Sequence, residues 1–372
     1  MMRTPRNSTL AWFVAASAMA LASPVLGSEP AKITPGAIWP DDRGQHIQAH
    51  GGGVVKHGDA YYWFGEDRSR DLPRDLRAVA CYSSTDLVHW TFRSRAFQMS
   101  TGHEATPPIA NRPKGFPDWR LVLERPKVFP NARTGKFVMY MHLDGAEEPG
   151  GPNYRQARVG VAVADKIEGP YSFVTHFRPL KHESRDIGQF IDDDGTAYLI
   201  YEDRPVGFHI AKLSDDYLTV LEDVTTIKAP IEGGALVHYD GLYYMIGSWL
   251  TGWTPNNNVY ATSKSLAGPW TKFKDVAPPE SNTFNSQSTM MLKVVGTKTT
   301  TVIFMADMWK PEAQWDSRYL WMPMEIGDGK LQLPEPRPWT LDVATGEAVI
   351  DHNAPAMPYK TGKPHRVVST DE

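Results

Sequence analysis

The feature that most constrains this chain is a unit it writes five times: an apolar run, a polar turn containing glycine, and an aromatic-rich strand. The clearest copy is EGGALVHYDGLYYMIGSW, residues 232–249. Here Ala235-Leu236-Val237 and Tyr243-Tyr244-Met245-Ile246 have strand composition, and Asp240-Gly241 accept the positive φ of a tight turn. Further copies are GGGVVKHGDAYYWFGED from Gly51, RPKVFPNARTGKFVMYMHLD from Arg125, DIGQFIDDDGTAYLIYED from Asp186 and, more loosely, SQSTMMLKVVGTKTTTVIFMAD from Ser286. Each is followed by a second strand pair, such as NVYATSKSLAGPWTKF or RYLWMPMEIGDGKLQL, giving five units of about four strands with no helical period between them. A sandwich could accommodate strands of this length, but regular repetition predicts an all-β, five-bladed β-propeller, in which each blade buries its faces only against its neighbours. A propeller gathers the first strand of every blade around one axis. Residues that open the repeats should therefore converge on one pocket.

Arg3 and Arg6 precede an apolar run over residues 10–21, broken by Pro24, and small residues follow before Ser28. This is the pattern of a secretory signal peptide over residues 1–27, too short and too interrupted for a membrane span, and it predicts a secreted or periplasmic protein. Residues 28–372 then suit a single propeller domain. Cys81 is the only cysteine, so no internal disulfide can form. A net charge of -4 with interspersed signs offers no basic face for nucleic acid and no lysine-rich membrane anchor. The expected partner is neutral or nearly so, a condition an oligo- or polysaccharide meets, and the expected state is a monomer. Twelve Trp and fifteen Tyr could stack on sugar rings, although blade cores must absorb most of them.

The repeat openings supply Glu124 in blade two, Asp186 in blade three, Glu232 in blade four and Gln287 in blade five. Any one of these acids could merely cap strand-end amides. Together they form a glycosidase constellation, in which one protonated carboxyl donates to a leaving oxygen while an ionised one supports a cationic sugar. Proline-rich residues 97–120 and Gly/Pro-rich residues 145–154 read as loops that rim the pocket. Asp192-Asp193-Asp194-Gly195 reads as a turn, because the ligand spacing of a calcium loop is missing. The histidines lack metal-ligand spacing as well, so no cofactor and no catalytic metal are expected, although five blades could bring one histidine to the axis beside an ion or water.

The segments AHGGGVV with YYWFGE, ERPKVFPN, SRDIGQFIDDDGTAYLIYED, EGGALVHYDGLYYMIGS with TGWTPN, FNSQST and WKPEAQWDSRYLWMPME resemble glycoside hydrolase family 43, more narrowly its exo-β-1,3-galactanase-like branch. The resemblance spans almost the whole chain after the leader. It implies a five-bladed propeller that hydrolyses glycosidic bonds with inversion, with Glu232 as general acid, Asp186 as modulator, Glu124 as a further carboxylate, and Glu66, Tyr154, Thr251 and Trp253 as sugar contacts. Blade one departs from most of the family by carrying His50-Gly51-Gly52-Gly53 where an Asp base would stand. The galactanase-like branch is similar in this, and there Gln287 would handle the attacking water. A second departure is Ile231-Glu232-Gly233-Gly234, where an Arg before the acid and Ala-Pro after it are expected. The resemblance thus implies an exo-β-1,3-galactanase, with α-L-arabinofuranosidase or β-D-galactofuranosidase activity as the enzymatic alternative and an inactive glycan-binding propeller as the other.

Overall fold

The computed structural model describes residues 31–74, 76–100, 121–147 and 151–365, together with Met1. The proposed leader, most of the proline-rich loop and residues 148–150 of the second rim loop lie outside the described residues. Blade one comprises β1 (His50–His57), β2 (Ala60–Glu66), β3 (Leu76–Ser84) and β4 (Thr91–Ser100). Blade two holds β5 (Val122–Asn131), β6 (Lys136–Asp144), β7 (Arg158–Ala164) and β8 (Ser172–Phe177), and blade three holds β9 (Ile187–Ile191), β10 (Ala197–Asp203), β11 (Gly207–Leu213) and β12 (Val220–Ile227). Blade four is β13 (Ile231–Tyr239), β14 (Leu242–Trp249), β15 (Val259–Ser263) and the two-residue β16 (Lys274–Asp275). Blade five is β17 (Gln287–Val295), β18 (Thr300–Met308) and β19 (Arg318–Pro323). Every blade is an antiparallel meander, and the inner strands β1, β5, β9, β13 and β17 touch in that order, with β17 returning to β1 to close the ring.

Blade five has three strands among the described residues rather than the expected four. Pro323 ends β19, and the segment after it folds back on itself as a separate hairpin, β20 (Glu325–Gly327) with β21 (Lys330–Gln332). A second hairpin, β22 (Trp339–Asp342) with β23 (Glu347–Ile350), pairs through Trp339 with Ile33 of the lead-in, and Gly36 donates to the Tyr319 carbonyl. The lead-in thus helps join blades five and one, while the tail bonds at Lys360 to Asn285 and at His365 to Asn257.

The core is a set of apolar layers between successive blades. Phe64, Val79 and Cys81 of blade one meet Leu123, Met139 and Met141 of blade two; Phe129 and Tyr140 meet Ile187 and Leu199; Ile200 and Phe208 meet Leu236 and Met245. The largest layer, with Trp63, Trp90, Trp321 and Trp339, joins blades four, five and one to the lead-in. Each such side chain contributes about 1.5–3 kcal/mol by burial, and these layers absorb much of the aromatic surplus. Cys81 is buried in β3, where desolvation raises its thiol pKa. The acidic triplet is a turn: Asp192 and Asp194 accept from the Asp193 and Thr196 amides, and Asp193 pairs with His238.

One backbone device recurs where the blades meet the axis. Register slips between His50 and Gly53 in β1, Glu124 and Lys127 in β5, Glu232 and Ala235 in β13, and Ser288 and Met290 in β17. In the first three the residue after the slip's start has positive φ: Gly51 (59°), Arg125 (47°) and Gly233 (63°). Such bulges re-aim the preceding side chain. They also account for Gly233-Gly234 after the acid. A Cβ at Gly233 would have to adopt the left-handed region and come within 2.8 Å of the Ser288 carbonyl, and one at Gly234 would lie 1.9 Å from the Phe208 ring.

Among the described residues no histidine occupies the centre of the ring. Lys127 reaches across it from blade two, fully buried, and its ammonium donates to the carbonyls of Gly51 (2.6 Å) and Gly52 (2.7 Å) and to the Thr289 hydroxyl (3.3 Å). Burial, together with the neighbouring Arg125 charge, pulls its pKa down to about 7. His50 lies to one side, buried, with Nδ1 3.0 Å from the Asp307 carboxylate. Asp307, at the end of β18, also accepts from the Gly51 amide, so blade five lends blade one the carboxylate that its own sequence lacks.

Candidate active site

The repeat openings do converge. A cavity of about 250 Å³, open to solvent at its mouth, is lined by Glu66, Glu124, Asp186, Glu232, Gln287, Tyr154 and Trp253 among the residues expected from sequence. Thr251 is placed otherwise: its neighbour Gly252 lines the cavity, while the Thr251 hydroxyl donates to the Thr254 carbonyl (2.6 Å) and accepts from Asn256 (2.8 Å), holding the loop that presents Trp253. Trp253 is 45% exposed and meets Trp309 edge to face at 5.5 Å. Two indoles at the mouth offer the kind of apolar face that packs against a sugar ring.

Glu232 stands at the start of β13 with its carboxyl almost wholly buried. Burial raises its pKa well above the usual range, the charges of Asp186 and Glu202 push the same way, and Arg125 and Arg204 oppose them. These surroundings favour the protonated form of the group. Asp186 stands just before β9, its Oδ2 2.8 Å from Nε of Arg125 and accepting from the Gly233 amide at 3.1 Å. Glu124 has the opposite setting to Glu232. Burial would raise it, but His142 at 3.3 Å, Arg68 at 3.7 Å and the Tyr154 hydroxyl at 2.8 Å outweigh burial and hold it below the ordinary value. His142 is itself raised to about 10, because the hydrogen bond to Asp144 and the negative charges of Glu124 and Asp144 overcome its burial, so it is a cation between two carboxylates. Glu66 is raised by burial against the pull of Arg68, and its Oε1 accepts from the Arg125 amide at 2.9 Å.

Gln287 is hydrogen-bonded at both ends of its amide. Its Oε1 accepts from Nη2 of Arg125 at 2.6 Å and from Nε1 of Trp309 at 3.0 Å, and its Nε2 donates to Glu232 Oε1 at 3.0 Å and to Ser248 Oγ at 3.1 Å. Guanidinium and indole N–H groups can only donate, so they fix which end of the amide is oxygen. Both hydrogens and both carbonyl lone pairs are engaged. In this resting arrangement the carbonyl has no capacity left for water, and an imidic tautomer would point a new O–H at two donors.

Sequence reasoning missed Arg125, Arg185, Arg204, His142 and Trp309 in the lining, and Glu202 behind it. Arg125 could have been found: it follows Glu124 at the same bulge that glycine fills in blades one and four, and a non-glycine residue held at positive φ marks a constrained site. It bonds the Ser288 carbonyl, Gln287 and Asp186 at once, tying blade two to blades three and five.

The sequence model for "Glycosyl hydrolases family 43" matches residues 50–306. The chain belongs to glycosyl hydrolase family 43. It is a glycoside hydrolase, and the structures it is similar to place it in the exo-β-1,3-galactanase-like branch of that family. An exo-β-1,3-galactanase from Phanerochaete chrysosporium, solved with galactose, shares 36% identity at a TM-score of 0.75, with 86% of this chain and 71% of that one covered. An exo-β-1,3-galactanase from Clostridium thermocellum shares 33% identity at 0.74, covering 86% and 68%. A β-1,3-galactosidase of the family, solved with galactodeoxynojirimycin, shares 33% identity at 0.68, covering 81% and 97%. No curated protein sequence matches the chain.

Proposed function

We propose that this chain is an inverting exo-β-1,3-galactanase that releases galactose from the non-reducing end of β-1,3-galactan, such as an arabinogalactan backbone, after export through its N-terminal leader. The observation that carries the reading is a pair of carboxyls that one cavity drives apart, Glu232 raised by burial beside Asp186 and Glu202, and Glu124 lowered by His142, Arg68 and the Tyr154 hydroxyl. The galactose- and β-1,3-galactotriose-bound structures of the Phanerochaete chrysosporium enzyme support the choice of sugar.

In this reading Glu232 protonates the glycosidic oxygen while Asp186 supports the positive charge growing on the sugar ring. Turning toward that oxygen releases the Gln287 N–H that holds Glu232 at rest. The freed N–H can then grip the attacking water by its oxygen, and a second group must take the proton. Glu124, ionised and inside the cavity, is assigned that task. Gln287, the side chain bonded to the acid, is an amide and cannot readily form the glycosyl ester that retention requires; with Glu124 acting on the water, the reading is single displacement.

The test is an early digest of linear β-1,3-galactan, with 4-nitrophenyl α-L-arabinofuranoside and β-D-galactofuranoside in parallel. Galactose as the first product, released as the α-anomer in proton NMR before mutarotation, supports the proposal. A ladder of mid-length oligosaccharides, a β-anomer, or turnover confined to a furanoside overturns it.

A further inference from the structure

On the flank of blade three, outside the catalytic cavity, two imidazoles and two carboxylates are gathered, and two of their buried polar atoms lack a hydrogen-bond partner. His209 of β11 stacks flat on Tyr201 of β10, at 4.5 Å and 2° between planes, and its Nδ1 lies 3.1 Å from Asp223 Oδ2 of β12 and 3.2 Å from the Thr226 hydroxyl. Tyr201 donates to the other oxygen of Asp223 at 3.0 Å. The Nδ1 side of the ring is thus the protonated, donating side. Its Nε2, almost fully buried, has no hydrogen-bond partner and faces Asp203 Oδ2 at 3.6 Å. Asp203 Oδ1 has none either. His182 completes the group, with Nδ1 2.8 Å from Asp203 Oδ2 and its ring 4.6 Å from that of His209. One ligand atom from each of His182, Asp203 and His209 can lie within 4.8 Å of the others.

A buried imidazole lone pair aimed at a carboxylate is repulsive unless a cation stands between them, and a distance of 3.6 Å is too long for a proton shared directly. We infer that His182, Asp203 and His209 form a binding site for a divalent transition-metal ion of the zinc type. Two nitrogens and a carboxylate oxygen suit such an ion better than calcium or magnesium, which take oxygen donors. Asp223 stands behind His209 as the carboxylate that fixes the tautomer of a ligating histidine. The His182 side chain is 34% exposed and leaves a route for the ion and a place for a water as fourth ligand.

The site would position residues rather than react. Asp203 directly follows Glu202, and side chains of successive strand residues point to opposite faces, so one end of β10 serves the cavity with Glu202 and the metal group with Asp203. The backbone of Glu202 bonds both ways with the segment after His182: Arg185 N donates to the Glu202 carbonyl (3.1 Å), and Glu202 N donates to the Asp186 carbonyl (3.0 Å). An ion joining His182 to Asp203 would clamp this connection at both ends, and with it the Asp186 carboxylate.

The experiment uses the whole, tag-free exported protein stripped with a chelator, titrated with Co²⁺ alone and then with Zn²⁺. One equivalent of Co²⁺ should bind with visible d–d absorption of a four- or five-coordinate site, Zn²⁺ should displace it, and zinc should raise Tm. His182→Ala, at a partly exposed ring where folding should survive, should abolish the absorption, and Asp223→Asn should weaken binding about 10- to 100-fold. His238→Ala, in the separate Asp192–Asp193 turn cluster, should leave it unchanged. No saturable absorption in the parent protein would overturn the assignment and leave a proton on His209. Equal binding by His182→Ala, or loss in His238→Ala, would overturn it too.

Discussion

Glu124 and Glu232 occupy the same place in blades two and four, yet their environments drive them apart. Each lies near the start of an inner strand, each is followed by a residue at positive φ, and each points from a bulge into the same cavity. Burial raises the pKa of both. Around Glu124 the second strand of the blade supplies His142, a cation at neutral pH, and the following loop supplies Tyr154. Around Glu232 the neighbouring blade supplies Asp186 and Glu202, and the partner nearest its oxygen is the neutral amide of Gln287. The inner strand fixes where a carboxyl stands; the elements outside it decide whether that carboxyl keeps its proton.

The comparison breaks most visibly at Glu232. Glu232→Gln should lower kcat on β-1,3-galactotriose by about 100- to 10,000-fold with a much smaller change in binding, as removal of a proton donor does. The raised pKa means that the acid is competent at low pH and is lost as pH rises through that pKa. An aryl galactoside with an acidic leaving group needs no proton, so the variant should turn it over without the alkaline fall of the parent. Retention of most activity on the trisaccharide would remove Glu232 from the role.

Glu124→Ala should cost a loss of similar order, and here the rescue matters more than the loss. Azide needs no base, and if Glu124 takes the proton from water, azide should restore turnover and yield the α-galactosyl azide. Gln287→Ala should not be rescued. That change instead deprives ionised Glu232 of a donor, so the alkaline limb should move to higher pH. Rescue confined to Gln287→Ala would transfer the base to blade five.

His142→Asn tests the cause of the asymmetry. Without the imidazolium, Glu124 loses an opposite charge at 3.3 Å, so its pKa should rise and the acid limb of kcat/KM should move up by roughly 1–3 pH units. An unmoved limb would assign it to another group.

How much of this was legible in the sequence follows from the same division. The five repeats announce five blades, because a hairpin carries its turn chemistry and strand alternation locally, and Glu124, Asp186, Glu232 and Gln287 were found because they open the repeats. The missing fourth strand of blade five was hidden because RYLWMPMEIGDGKLQL contains strand-like residues throughout, and only Pro323 marks where the sheet is left. His142, Glu202 and Arg204 were invisible since they sit at or just beyond the ends of second strands, where no repeat position singles them out. Gln287 was read as free to handle water; its occupancy by Arg125, Trp309, Glu232 and Ser248 depends on four segments drawn from three blades, which spacing cannot report.

The smallest effect should come from Glu202, and it bears on whether the pair at blade four is really a triad. Glu202 is buried, raised by burial and by Asp186, and partly offset by Arg204, whose Nε lies 2.5 Å from Glu202 and whose Nη2 lies 3.6 Å from Glu232. Three carboxyls this close titrate as a coupled set, so the proton withheld by one is shared in the equilibrium of the others. Glu202→Gln keeps the shape and most of the hydrogen bonding but removes any charge that Glu202 carries. If it carries part of a charge at neutral pH, Glu232 loses one repulsive neighbour and the alkaline limb moves to lower pH, by less than in Asp186→Asn, which removes the larger of the two repulsions. The same substitution also releases Arg204, whose guanidinium can turn more fully to Glu232 and push in the same direction. Both consequences lower the pKa, so the sign of the shift is firm even though the two are not separated. An upward shift in the kcat/KM profile of Glu202→Gln would contradict both consequences and would return the raised pKa to burial and Asp186 alone.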